Sequence, residues 1–236
     1  TLRQAYVVGE GREQAFASLY AESDPVEFPE VVEEDTFCLL YTSGTTGKPK
    51  GAMLTNVSTM HTLLHYQHAF ELPEGAVSLL AVPASHVTGF VAIILTTIRV
   101  AGTVVIQREF KARRFLELAS RERINYTLVV PAIYNLLLLD PDFATFDLSA
   151  WRIAGFGGAP MPEATIDKLA KALPNLTLCN VYGSTETSSP VTIMPIGDIR
   201  KAPSSVGKVL PCADIVVVDD DGNEVPPGQS GELLIG

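Results

Sequence analysis

Tyr41-Thr-Ser-Gly-Thr-Thr-Gly-Lys-Pro-Lys-Gly51 packs four hydroxyl side chains (Thr42, Ser43, Thr45 and Thr46), three glycines (Gly44, Gly47 and Gly51) and two lysines into eleven residues. Glycine lets a backbone come close to an anion, and hydroxyl and N–H groups donate to its oxygens, so this composition suits phosphate. The apolar run 37–42 leads into the loop, and Gly51-Ala-Met-Leu-Thr55 leaves it as a second predicted strand, so the loop tips a hairpin. A P-loop would instead end in Gly-Lys-Ser/Thr and open a helix, whereas here Gly47-Lys48 is followed by Pro49.

Outward from the hairpin, short runs rich in Val, Ile, Leu and Thr alternate with stretches of helical period. Strands are predicted at 5–8, 37–42, 77–82, 103–107, 126–130, 151–155 and 176–181, and helices at 56–70, 88–100, 111–122, 131–139 and 162–173. That alternation predicts an α/β fold of mixed, largely parallel sheets covered by helices. From Val191 the punctuation by Pro, Gly and Asp changes the character. We therefore expect an α/β core over 1–190 and the start of a smaller β-rich portion over 191–236, with strands at 214–218 and 232–235. The acidic stretch 22–35 reads as a solvated linker. Asp219-Asp-Asp-Gly-Asn-Glu224 reads as a hairpin turn, since it lacks the length and closing glutamate of a calcium-binding loop.

The chain has 236 residues, 47% of them hydrophobic, and a formal net charge of -10. An acidic chain with no basic face is a poor partner for nucleic acid, whose binding requires phosphate neutralisation. The most apolar stretch, 91–98, is interrupted by Thr96 and Thr97 and stopped by Arg99, so no membrane span and no signal peptide are expected. Cys38, Cys179 and Cys212 lack the spacing of a zinc site or a disulfide framework. They are expected to be reduced and mostly buried, which points to the cytoplasm.

Three further constellations carry chemistry. Asn180-Val-Tyr-Gly-Ser-Thr-Glu186 is a polar turn directly after a predicted strand, where open α/β sheets place their ligands. Gly155-Phe-Gly-Gly-Ala-Pro-Met-Pro162 is a second glycine-rich turn after a strand, with helix-starting chemistry at Pro162. Pro83-Ala-Ser-His86-Val-Thr-Gly89 follows the hydroxyl-rich loop at moderate distance. His61, His65 and His68 recur at helical spacing without a carboxylate partner and read as a surface or half-buried stripe.

In order, these strings resemble the signature motifs of the adenylate-forming (AMP-binding) superfamily, in its acyl-CoA synthetase branch, over nearly the whole chain. The resemblance implies that Thr42, Ser43, Gly44, Thr45, Thr46, Gly47 and Lys50 handle the β- and γ-phosphates of ATP. It implies that Gly157, Gly158, Ala159 and Pro160 line the adenine pocket and one wall of the acyl pocket. Asn180, Tyr182 and Gly183 then belong to the turn that closes over the nucleotide, with Tyr182 stacked on adenine. Thr185 reaches the α-phosphate, Glu186 holds Mg²⁺, and His86 flanks the reacting carboxylate; Lys50, Thr185, Glu186 and His86 are the expected catalytic set. The implied reaction is ATP-dependent activation of a small carboxylic acid, a fatty or aryl acid for example, followed by thioester formation with coenzyme A.

Two rival readings stand beside this one: an amino-acid-activating domain of a peptide synthetase, and a non-catalytic nucleotide- or acyl-binding remnant. The Thr45-Thr46 pair and the His86 string favour the coenzyme A ligase. The family's ribose-binding aspartate, its hinge and its small C-terminal domain have no counterpart in this sequence. A chain cut from a longer enzyme and inactive alone is therefore expected.

Overall fold

The computed structural model describes residues 30–43 and 47–236, so the strand expected at 5–8 and the loop residues Gly44, Thr45 and Thr46 lie outside it. The chain divides into Thr1–Val32 and Glu33–Gly236, and the elements that follow belong to the second unit.

Strands β1 (Thr36–Thr42) and β2 (Lys50–Thr55) form the expected antiparallel hairpin, with Thr42 opposite Lys50 and Leu40 opposite Ala52. Side chains alternate between faces: Leu40, Ala52 and Leu54 are buried, while Leu39, Tyr41 and Met53 are exposed. Helix α1 (Asn56–Ala69) starts at once, because Thr55 and Ser58 form a reciprocal capping box that satisfies two of the helix's free N–H groups.

The main sheet has seven strands in the order β4-β3-β5-β6-β7-β8-β9. Its first five members, β3 (Val77–Leu80), β4 (Thr103–Ile106), β5 (Tyr126–Val129), β6 (Ile153–Gly157) and β7 (Thr177–Ser184), pair in parallel. β8 (Ser189–Ile193) and β9 (Lys208–Val209) add antiparallel to β7 and to β8. Parallel neighbours need crossovers. These are a π-helical segment, Thr88–Leu95, continuing into α2 (Thr96–Arg99), then α3 (Ala112–Arg121), α4 (Pro131–Leu138) and α5 (Glu163–Ala172).

Helices cover both faces, so β5 is buried along its whole length, as a doubly covered parallel strand must be. On one face Phe115, Tyr134 and Trp151 pack as an aromatic group under α3 and α4. On the other, Tyr66 from α1, Phe70 at its C-terminal cap and Ile93 from the π-helical segment meet Tyr126 and Leu128. The two threonines that interrupt the apolar run 91–98 have partners there. Thr96 bonds back to the Val91 carbonyl, and Thr97 Oγ1 lies 2.8 Å from Ser78 Oγ and 2.6 Å from the Tyr126 hydroxyl.

Two sequence readings change. The boundary expected at 190/191 falls inside β8, which is hydrogen-bonded into the main sheet. β8 contains Pro190, which has no N–H for the ladder, and the pairing with β7 shifts register between Tyr182 and Gly183, opposite it. Of the three cysteines only Cys179 is buried; Cys38 is partly exposed and Cys212 exposed.

β10 (Ile215–Val218) and β11 (Glu232–Ile235) form a separate two-stranded sheet. Between them the Asp219 carboxylate accepts the N–H groups of Asp221 and Asn223 and folds 219–224 into a tight turn. Among the described residues no helix is long and apolar enough to cross a membrane.

Candidate active site

The carboxyl ends of β3, β5, β6 and β7 point the same way, and those of β3, β6 and β7 are each followed by one of the polar strings. Past β3, the His86 N–H donates to the Pro83 carbonyl and turns the chain into the π-helical segment. Gly89 is required by that turn: a Cβ there would lie 2.2 Å from the Pro83 oxygen. The Thr88 N–H donates to His86 Nδ1 over 3.2 Å. That nitrogen is thus an acceptor, and the neutral ring carries its proton on Nε2.

Past β6, Gly157 lies so close to β7 that a Cβ would sit 2.4 Å from the Val181 carbonyl, and Gly158 takes a φ of +74°. Past β7, the chain reverses in a short turn that carries Thr185 and Glu186. Thr187 Oγ1 ties the turn together, accepting from the Ser184 N–H at 3.0 Å and lying 2.9 Å from the Ser189 carbonyl. Ser188 and Ser189 follow with φ of 58° and 113°, in the half of conformational space that side chains disfavour, at a cost of order 1–3 kcal/mol each. Gly183 makes the reversal possible, since a Cβ there would fall 1.7 Å from the Ser189 oxygen.

These segments enclose a cavity of about 330 Å³. Thr42, His86, Gly157, Gly158, Gly183, Thr185 and Glu186, all singled out from the sequence, line it. A neighbouring recess of about 400 Å³ shares Gly158 and Gly183 and adds Ala159, Pro160, Asn180 and Tyr182. A third, about 200 Å³, joins Thr42 and Ser43 to His86 and Thr185. Four segments far apart in sequence therefore converge on one trough of adjoining recesses that share Thr42, His86, Gly158, Gly183 and Thr185.

Some expected residues sit differently. Lys50 lies at the start of β2, exposed and paired across the hairpin with Thr42, and it lines none of these three recesses; neither does Gly47. Asn180 is buried, and its amide donates to the Ser205 carbonyl at 2.8 Å, fastening the chain ahead of β9 to β7. Glu186 is exposed on the trough, and among the described residues no basic side chain forms an ion pair with it.

Sequence reasoning missed part of the wall. Val87, Leu128 and Val181 supply apolar surface, and Tyr66 and Ser189 supply two hydroxyls 2.7 Å apart. Burial pushes the Tyr66 phenol well above its usual range, with the Ser189 hydrogen bond opposing the shift. Tyr66 is a mid-helix residue of α1, and nothing in its neighbourhood in the sequence marks it. His61 and His68 are exposed and His65 half-buried; burial, then the charges of His61 and His68, hold the His65 imidazole below its ordinary value.

The model of the AMP-binding enzyme family matches residues 3–236. The chain belongs to that family. Among curated AMP-binding relatives, indoleacetate–CoA ligase of Aromatoleum aromaticum is 31% identical over 207 residues, 88% of this chain and 40% of the relative. 4-Coumarate–CoA ligase CCL1 of Humulus lupulus is 33% identical over 227 residues, 91% of this chain and 41% of its own length. Feruloyl-CoA synthase of an Amycolatopsis species is 30% identical, with 91% of this chain and 43% of the relative covered. The chain thus spans about two fifths of the length of the curated relatives it matches. Among solved structures, the inhibitor-bound N-terminal domain of FACL13 from Mycobacterium tuberculosis superposes with a TM-score of 0.83 at 29% identity, covering 92% of this chain and 53% of that one. The fold is that of the N-terminal domain of acyl-CoA synthetase-like AMP-binding enzymes.

Proposed function

We propose that the full-length protein is an ATP-dependent, AMP-forming acid–thiol ligase that activates a carboxylic acid and passes its acyl group to coenzyme A. The observation that carries this reading is the single trough into which Thr42, His86, the Gly157–Gly158 turn and the Thr185–Glu186 turn converge.

A carboxylate is a poor acyl donor, because hydroxide leaves badly. In the proposed first step a carboxylate oxygen attacks the α-phosphorus of ATP, and the bond to the β-phosphate breaks as pyrophosphate departs with its electron pair. In the second, the coenzyme A sulfur, its proton lost, attacks the acyl carbon and AMP leaves. No protein nucleophile is needed.

Thr185 is assigned as hydrogen-bond donor to the α-phosphate, where charge builds up in the transition state. His86 is assigned to the acid: with Nδ1 occupied by the Thr88 N–H, its Nε2–H is the group left to donate to a carboxylate. Lys50 and the loop hydroxyls Ser43, Thr45 and Thr46, with Gly44 and Gly47, are assigned to the departing pyrophosphate. Ala159, Pro160 and Tyr182, beside the larger recess, are assigned to adenine.

Glu186 fits a divalent cation, being an exposed, unpaired carboxylate on the trough; among the described residues no cluster of three metal-binding side chains exists. One carboxylate beside substrate phosphates is the donor set Mg²⁺ takes. When bound, the ion supplies charge neutralisation on those phosphates.

The apolar wall of Leu128, Val181 and Val87 supports an acid with an apolar acyl part, and the aryl acids named for the relatives make such acids the first choice. Three free cysteines support a reducing compartment, the cytoplasm. The test is pyrophosphate release by the full-length protein with ATP, Mg²⁺ and a panel of aryl and fatty acids, then thioester formation on adding coenzyme A. Acid-dependent pyrophosphate is expected. ATP turnover independent of every acid and of coenzyme A would overturn the reading.

A further inference from the structure

We infer that Tyr66 and Ser189 are a positioning pair which, with Ser58 and Ser188, holds the Thr185–Glu186 turn in the one backbone conformation that faces the trough. This rests on the proposed role of that turn in nucleotide and cation handling.

The turn ends in two successive non-glycine residues at positive φ, Ser188 at 58° and Ser189 at 113°. Such conformations persist only where the surroundings over-determine them. Here those surroundings are hydroxyls from one helix. Ser58 Oγ, in the first turn of α1, lies 2.8 Å from Ser188 Oγ, and the Tyr66 hydroxyl, two turns on, lies 2.7 Å from Ser189 Oγ. Tyr66 is 0% and Ser189 7% exposed, so their contact is buried, and Ser188, 2% exposed, meets the half-buried Ser58.

The tyrosine is informative by its chemistry. Packing against Phe70 and Tyr126 would be served equally by phenylalanine, and a buried phenol is costly unless its hydroxyl is bonded. That hydroxyl meets a residue of the turn. α1 itself is fixed to β2 by the Thr55–Ser58 capping box, and Lys50 starts β2. One helix therefore ties the hairpin that bears Lys50 to the turn that bears Thr185 and Glu186, and its polar contacts with the turn are between neutral hydroxyls, one of them over a sequence gap of 130 residues. Neutral contacts leave the charge on the trough to Glu186 and the substrates.

The test uses the full-length protein with Tyr66→Phe, Ser189→Ala and the double variant, beside Thr185→Ala and Glu186→Gln. Each single variant of the pair is expected to lower kcat/KM for ATP about three- to tenfold, the effect of one neutral hydrogen bond. Each should also raise the Mg²⁺ concentration for half-maximal rate and weaken binding of Mg²⁺-ATP measured by calorimetry without acid. The double variant should be no worse than the weaker single one, because the two hydroxyls serve one contact. If Tyr66→Phe fails to fold, the smaller change Ser189→Ala carries the test. Unchanged Thr185→Ala and Glu186→Gln would show that the nucleotide reading itself is wrong. If those two are impaired while the pair variants match the parent, lose only thermal stability, multiply their effects, or move only KM for the acid, the inference is overturned.

Discussion

The Thr88 N–H donates to Nδ1 of His86 across 3.2 Å, so the orientation of the imidazole is set by the first residue of the π-helical segment. The neutral ring then offers Nε2–H outward. His86→Ala is expected to lower kcat/KM for the acid about ten- to a hundredfold, the worth of a hydrogen bond to a charged group, with KM for ATP little changed. Nitrogen NMR of the free protein should show Nδ1 as the unprotonated nitrogen. A protonated Nδ1 in the neutral ring would remove His86 from this role.

Lys50→Ala should weaken ATP-dependent adenylation by about ten- to a hundredfold, since a charge-assisted bond to phosphate is worth roughly 1.5–3 kcal/mol. Pyrophosphate release over a range of ATP concentrations measures it. Because Lys50 lines none of the recesses described, unaltered kinetics would mean that it stays outside the site when substrates bind.

Glu186→Gln keeps the size of the side chain and removes the charge. Thermal stability should be close to that of the parent, because no basic side chain pairs with Glu186 among the described residues, while the Mg²⁺ titration of activity shifts to higher concentration. Superimposable titrations would make the residue structural.

Gly89→Ala places a Cβ 2.2 Å from a backbone oxygen that no side-chain rotation can relieve. A cost of about 1–3 kcal/mol, typical of overpacking, should appear in denaturant unfolding, together with a raised KM for the acid as the His86 turn is displaced. Equal stability of variant and parent would show that the Pro83 segment yields freely.

Burial pushes the Cys179 thiol from 9.0 up to about 12, so the folded chain resists an ionisation that the unfolded chain undergoes. A folded-state pKa raised in this way gives stability that is intact below pH 9 and is lost as pH rises towards 12. The buried phenols of Tyr66, Tyr126 and Tyr134, also raised, act in the same direction. Denaturant midpoints should therefore hold to about pH 9 and then fall. At pH 8 a thiol reagent should modify exposed Cys212 first and reach Cys179 only on unfolding.

The hairpin, the parallel strands and their crossover helices were legible because each has a strong local pattern. Leu40, Ala52 and Leu54 alternate, Pro131 opens α4, and 126–129, Tyr-Thr-Leu-Val, is made of strand-favouring residues. β8 was not, since it is a short strand held by its antiparallel pairing with β7, a non-local contact, and it straddles the change of character at Val191. At the site, glycines and hydroxyls forced by close approach stood out, as at Gly157 and Thr185. Tyr66 and Leu128 did not, because an apolar wall made of side chains from separate elements has no sequence period of its own.

The order β4-β3-β5-β6-β7-β8-β9 also dictates when the trough comes into being. Each parallel step must close over a helix before its strands can pair, and such non-local closure places folding in the slower, millisecond-to-second range. Thr42 and Glu186 belong to opposite ends of that sequence of closures. On the ribosome, a chain that has not yet released β8 has nothing to hold the Thr185 turn against α1, so nucleotide capture is expected to report completed synthesis of this region.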